Sequence, residues 1–135
     1  MTTKYSRFQI AAIAVERAVT AISSERARQI SVEKYLPVQD DQYTKGELIA
    51  ASSCYAEIAA RVLRYGNQAP LNAPMQWPWA MEHWKPSHDA NRMLEKAGAL
   101  LLAQYENSVR KELYANNDWS ETEDGSEQSD SSQQE

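Results

Sequence analysis

The sequence predicts an all-α fold, an antiparallel helical bundle, on three observations. Apolar residues recur at helical spacing in three separate stretches, strand-like alternation occurs nowhere, and four of the five prolines fall in one irregular segment between residues 67 and 91. Three helices joined this way, with no internal repeat, suit a single small domain.

The first helix is expected from about Tyr5 to Tyr35, where Ile10, Ile13, Ala14, Arg17, Ala18, Ala21 and Ile22 keep helical spacing. Ser23 and Ser24 are a candidate break, because serine competes for its own backbone. Beyond them Glu25, Arg28, Gln29, Val32 and Glu33 share one face. That column is either a solvated row of ion pairs or the polar lining of a cleft.

"LPVQDDQY" reads as a loop. "TKGE" then reads as a capping box, with Thr44 as N-cap and Glu47 reaching back to it. The second helix, Lys45 to Tyr65, has the clearest stripe: Leu48, Ala51, Tyr55, Ile58, Val62 and Tyr65. Gly66 ends it. Cys54 flanks the stripe and is expected to fill core space; as the sole cysteine it excludes an intrachain disulfide.

The third helix is expected from about Ala90 to Tyr114, capped by Asp89 or Ser87, with Leu94, Ala97, Leu101, Tyr105, Val109 and Leu113 as its stripe. Gly98 lies inside it. Glycine there costs about 1 kcal/mol against alanine, so a second helix must approach closely. The apolar flanks "LLLA" and "IAAIAV" are too wide for three helices to cover, which points to a homo-oligomer.

Residues 1–115 form the expected bundle domain, and 116–135 a disordered tail. The tail carries seven acids, no base and one large apolar residue, Trp119, too little to offset the entropy of ordering it. Without it the chain's 19 acids fall to 12 against 14 bases, so the body is near +2 and does not repel anions. The tail is either a solubilising appendage or a strip for a basic protein partner. No apolar run reaches the ~20 residues of a membrane helix. "IAAIAV" is too short for a signal segment, so a cytoplasmic protein is expected, with neither membrane nor nucleic-acid partner.

"WPWAMEHWKP", residues 77–86, gathers three of the four tryptophans. So long an irregular segment in a small domain is either disordered or functional, and its tryptophans need something to pack on. No phosphate loop, CxxC, HExxH or GxSxG is present. Both histidines, His83 and His88, lie in this loop and read as surface or packing residues. Trp77, Trp79 or Trp84 could stack on a base, while Lys85, Arg92 and the amides opening the third helix take phosphate. Arg26, Arg28 and Gln29 would line the opposite wall. Within the loop, Trp79 is expected to be structural and Trp84 nearest the ligand.

The strings "ERARQISVEKY", "DDQYTKGELIAASSCYA", "WPWAMEHWKP" and "NRMLEKAGALLLAQYE" resemble a group of small proteins encoded by bacteriophages and prophages, over about residues 25 to 106. The chain departs from that pattern at Lys34 and Tyr35, where it has glycine and tryptophan, at Asn91, where it has arginine, and at Glu95, where it has valine. The group in turn resembles the MazG-like all-α nucleotide pyrophosphohydrolases. Those enzymes hold Mg²⁺ with paired acids on two helices and cleave nucleoside triphosphates between the α and β phosphates. Here Glu47 matches one acid, Thr44 stands where its partner belongs, and Arg92 and Met93 occupy late-helix acidic positions.

The resemblance and the residues together imply a non-catalytic nucleotide-binding protein, without a cofactor, that sequesters a nucleotide or cyclic nucleotide used by host defence, in the host cytoplasm. The enzymatic alternative is a Mg²⁺-dependent pyrophosphohydrolase with its metal site rebuilt from Asp40, Asp41, Glu47 and Asp89. A third reading is a protein-binding adaptor that uses the tryptophans as hot spots.

Overall fold

The computed structural model describes residues 4–117. The expectations for the acidic tail, Trp119 included, fall outside that range. Among the described residues the chain is all-helical: α1 (Arg7–Ser31), α2 (Pro37–Asp40), α3 (Glu47–Tyr65) and α4 (Ala90–Asn116), with short 3₁₀ turns at Gly66–Gln68 and Met81–His83. α1 ends at Ser31, short of the expected Tyr35. Ser23 and Ser24 do not break α1, which starts at a Ser6–Gln9 capping box. Pro37 opens the single turn of α2 inside the expected loop, its fixed φ suiting a first helical position. Thr44 does not cap α3. Gly46 does so, at φ +81°, with no side-chain cap, and Glu47 instead accepts the Lys45 amide at 2.8 Å. Asp89 caps α4, accepting from the Arg92 amide, and α4 runs on to Asn116.

α3 and α4 run antiparallel and make most of the core. Leu48, Ala51, Tyr55, Ile58, Ala59 and Val62 of α3 face Met93, Ala97, Leu100 and Ala103 of α4. Cys54 is fully buried beside them. The Ser52 hydroxyl donates to Ala97 O at 2.8 Å, a bond that needs the two backbones close together. The alanines provide that closeness. The buried residues of α4 are Met93, Ala97, Ala99, Leu100, Ala103 and Asn107, so of the expected stripe only Ala97 is inside, and Leu94, Leu101, Tyr105, Val109 and Leu113 stay exposed.

α1 crosses α4 steeply. Ile22 meets Gly98, Glu25 bonds Arg92, and Arg26 bonds Glu106. Neighbouring residues on α1 thus reach points 14 residues apart on α4, about 21 Å of helix. The glycine is where α1 rests. Only the last third of α1 enters the core, and its buried residues are all polar: Glu25, Arg26 and Gln29. The polar column lines a cleft, whereas Ile10 and the residues around it remain outside.

Candidate functional site

The tryptophan loop folds onto the α3–α4 core as an aromatic cluster. Trp84 stacks on Tyr55 with centroids 4.9 Å apart, and its indole donates to Leu71 O at 2.9 Å. Trp77 stands edge-on to Tyr55, Trp79 and Trp84, and donates to Ala80 O. Burial pushes the Tyr55 phenol up to about 12, and its oxygen accepts the Lys85 amide. The start of the loop is tied down by Arg61, which donates to Pro70 O, and by the His88 ring, which donates to Ala69 O.

Trp79 differs from the other two. It leans on Tyr43 at 5.3 Å and walls a cavity of about 430 Å³. The cavity lies between the end of α1, α2, the start of α3, α4 and the loop. Its apolar walls are Leu48, Pro78, Trp79, Ala80, Leu100 and Ala103; its polar side is Arg26, Gln29, Gln39, Asp40, Tyr35 and Tyr43. The Trp79 indole N–H has no hydrogen-bond partner, and neither has Gln29 Oε1, although the Gln29 amide donates to Glu25. Buried polar groups in native chains are almost always satisfied. Gln104 Oε1 and Asn107 Oδ1 are unpaired as well, but only Trp79 and Gln29 belong to residues that line this cavity, and their unpaired atoms lie just behind its surface, closed to solvent.

The charges around this wall are matched internally. Arg26 donates to Glu106 at 2.6 Å and to Asp40 at 3.2 Å. Burial raises Asp40 above the usual carboxylate range against the pull of Arg26. Glu25 is buried and accepts from Arg28 at 2.8 and 2.9 Å and from Arg92 at 2.6 Å. Burial alone would raise its carboxyl, but those hydrogen bonds outweigh it and hold the group at about 2. Arg28 also bonds Glu33, and Arg92 bonds Glu95.

A second, smaller cavity of about 30 Å³, room for a water or two, adjoins the first through Gln29, Tyr35, Trp79, His83 and Leu100. Arg28, Trp77, Lys85 and Lys96 line it with Glu25 and Glu33. Burial lowers the Lys96 ammonium's pKa, and its Nζ donates to Lys85 O at 2.8 Å.

The expected site residues therefore divide. Arg26, Gln29 and Trp79 line the larger cavity, and Arg28, Gln29, Trp77, Trp79 and Lys85 the smaller. Trp84 and Arg92 line neither: the first is held in the aromatic cluster, the second by two carboxylates. Trp79, expected to be structural, lines both cavities, and Trp84, expected nearest a ligand, lines neither. Sequence reasoning missed Tyr35 and Tyr43 on the cavity wall; the tyrosine at 35, where the resembled pattern has tryptophan, was the available signal.

A Mg²⁺ site needs carboxylates converging on one point. Among the described residues no three His, Cys, Asp or Glu side chains stand together in that way. Asp40 is held by Arg26, Asp41 by Arg110 at 2.9 Å, Glu47 by the Lys45 amide and Asp89 by the Arg92 amide. This donor set does not fit the ion, and no metal-dependent step follows from it. No helix among the described residues is long and apolar enough to cross a membrane. No protein-family model, curated protein or solved structure matches this chain.

Proposed function

We propose that the chain binds, without converting it, a small molecule built on a flat hydrogen-bonding heterocycle, a nucleobase above all, in the larger cavity. The unpaired Trp79 N–H and Gln29 Oε1, on two residues that line this cavity, carry this reading. A base edge presents an acceptor beside a donor and answers both, while its face stacks on aromatic walls, a contact worth about 1–3 kcal/mol. A hydrocarbon would leave both groups unsatisfied. Both atoms are closed to solvent in the ligand-free chain, so binding includes a small rotation of the indole or the amide.

Arg26, neutralised by Asp40 and Glu106, is not the receptor for a phosphate. The smaller cavity has no room for a phosphate and its Arg28 is already held by Glu25 and Glu33, so a phosphate carried by the ligand stays at the protein surface, where Lys85 is exposed. The resemblance to phage-encoded proteins extends the reading to withholding a nucleotide signal from host defence.

The test is a thermal-shift panel of nucleosides, nucleotides and cyclic dinucleotides, with and without Mg²⁺. A true ligand at 100 times its dissociation constant stabilises the fold by about 2.7 kcal/mol. If no member shifts the transition, the reading falls. Mg²⁺-dependent pyrophosphate release from a triphosphate establishes the hydrolase instead.

A further inference from the structure

α1 carries a seam that the fold uses only at one end. Phe8, Ala12, Val15, Val19, Ile22, Arg26 and Gln29 follow one another at alternating steps of four and three, the spacing of a coiled-coil seam. From Ile22 onward this face is covered: Ile22 rests on Gly98, and Arg26 and Gln29 are buried. From Phe8 to Val19 it is bare, with Phe8 84% exposed, Val15 65% and Val19 59%. The bare length is about three turns, or roughly 17 Å. A contiguous apolar stripe of this length on a well-capped helix marks a surface for a partner.

We infer that the bare seam of α1 pairs antiparallel with the same seam of a second copy of this chain, about a two-fold axis between Ile13 and Ala14. Turned end for end the seam matches itself. Phe8 meets the second copy's Val19, and Ala12 its Val15, so each large residue meets one of complementary size. The flanks match as well. On one side Ala11 and Ala18 are small enough to let the helices approach. On the other Gln9 faces the second copy's Glu16, a neutral donor against a carboxylate with no like charges opposed. Arg17 points away from the seam. The two faces together cover on the order of 1,000 Å², the size at which such an interface becomes specific. A closed two-fold pair uses each face once and leaves no open end. The larger cavity lies beyond Ile22 along α1, so this surface is separate from the proposed binding site.

Sedimentation equilibrium of the full chain at about 10 µM, where a pair with a dissociation constant of about 1 µM is mostly assembled, is expected to give a dimer. The V15E/V19E double variant is expected to sediment as a monomer with its helical circular dichroism retained, since both positions are exposed in the single chain. Mixing an A12C chain with a V15C chain under oxidation is expected to yield the mixed disulfide in preference to either self-pair; the natural Cys54 is buried and does not compete. A monomeric parent overturns the proposal, as does a V15E/V19E variant that remains dimeric. A monomer that instead cosediments with phosphatidylglycerol vesicles assigns the seam to a lipid surface and overturns it too.

Discussion

Ile22 lies so close to Gly98 that a Cβ built on the glycine would stand 3.0 Å from both its Cδ1 and its Cγ2. Three side-chain atoms crowd that point, so the isoleucine cannot yield by moving its tip alone. Gly98→Ala gains about 1 kcal/mol of helix propensity but meets an overpacking cost of about 1–3 kcal/mol. The expected result is a net loss near 1 kcal/mol in urea unfolding. With Ile22→Ala in place the clash is gone, and the same substitution should become stabilising by about 1 kcal/mol. A Gly98→Ala change that stabilises the parent chain would show that α1 does not rest on this glycine.

Acid should weaken the α1–α4 junction through Glu25. Its carboxyl falls from an ordinary 4.5 to about 2 in the fold, so its contribution is complete above pH 4.5 and disappears as pH drops toward 2. The loss is about 3 kcal/mol at most. Asp40 acts the other way. Its raised pKa makes the fold favour its protonation, which offsets part of the loss on acidification. Unfolding free energy measured between pH 5 and 2.5 should therefore decline, and Glu25→Gln should flatten the decline. At neutral pH the same variant starts lower, because Arg28 and Arg92 lose their shared carboxylate.

Lys34 holds φ +63° just beyond α1, a left-handed conformation that costs a residue with a Cβ about 1–2 kcal/mol. Its carbonyl accepts the Leu36 amide there, so the turn cannot relax without losing a bond. Lys34→Gly removes the strain but loosens the unfolded chain. The expected net gain is about 0.5–1 kcal/mol, seen as a melting temperature higher by a few degrees. Glycine is the residue this backbone suits.

How much of this was legible in the sequence depended on what each helix buries. The α3 stripe was read correctly from Leu48 to Val62, because Leu48, Tyr55, Ile58 and Val62 are both apolar and inside, whereas Tyr65, expected to continue it, is exposed. On α4 the rule that large apolar residues lie inside failed. Besides Met93 and Leu100 its core face holds Ala97, Ala99, Ala103 and the polar Asn107, which donates to Asp40 O at 2.8 Å, while Leu94, Leu101 and Leu113 stay outside. α1 inverted the rule altogether, burying a carboxylate, a guanidinium and an amide while Phe8 and Val15 face solvent. The glycine signal succeeded because a missing side chain has one structural meaning, close approach. The tryptophan loop was recognisable as a site, but which indole faces the cavity depends on hydrogen bonds to Leu71 and Ala80, which no spacing encodes.

The three indoles make the last prediction. Trp84 donates to Leu71 O and stacks on Tyr55, so Trp84→Phe leaves a part-buried carbonyl without its donor and should cost about 1–3 kcal/mol. Trp77→Phe loses a longer bond, 3.3 Å to Ala80 O, and should cost less. Trp79→Phe removes an N–H that has no partner, so removing it relieves an unsatisfied group while the ring still leans on Tyr43. Its stability should change by less than about 1 kcal/mol. Ligand affinity should follow the opposite order. A base held through the Trp79 N–H loses a buried hydrogen bond in Trp79→Phe, roughly a fivefold to tenfold weakening, and is little affected by Trp84→Phe. Melting temperatures of the three variants, with titrations of whichever nucleotide stabilises the parent, provide both orders. If Trp79→Phe costs as much stability as Trp84→Phe and leaves affinity unchanged, the indole packs the end of the bundle and does not hold a ligand.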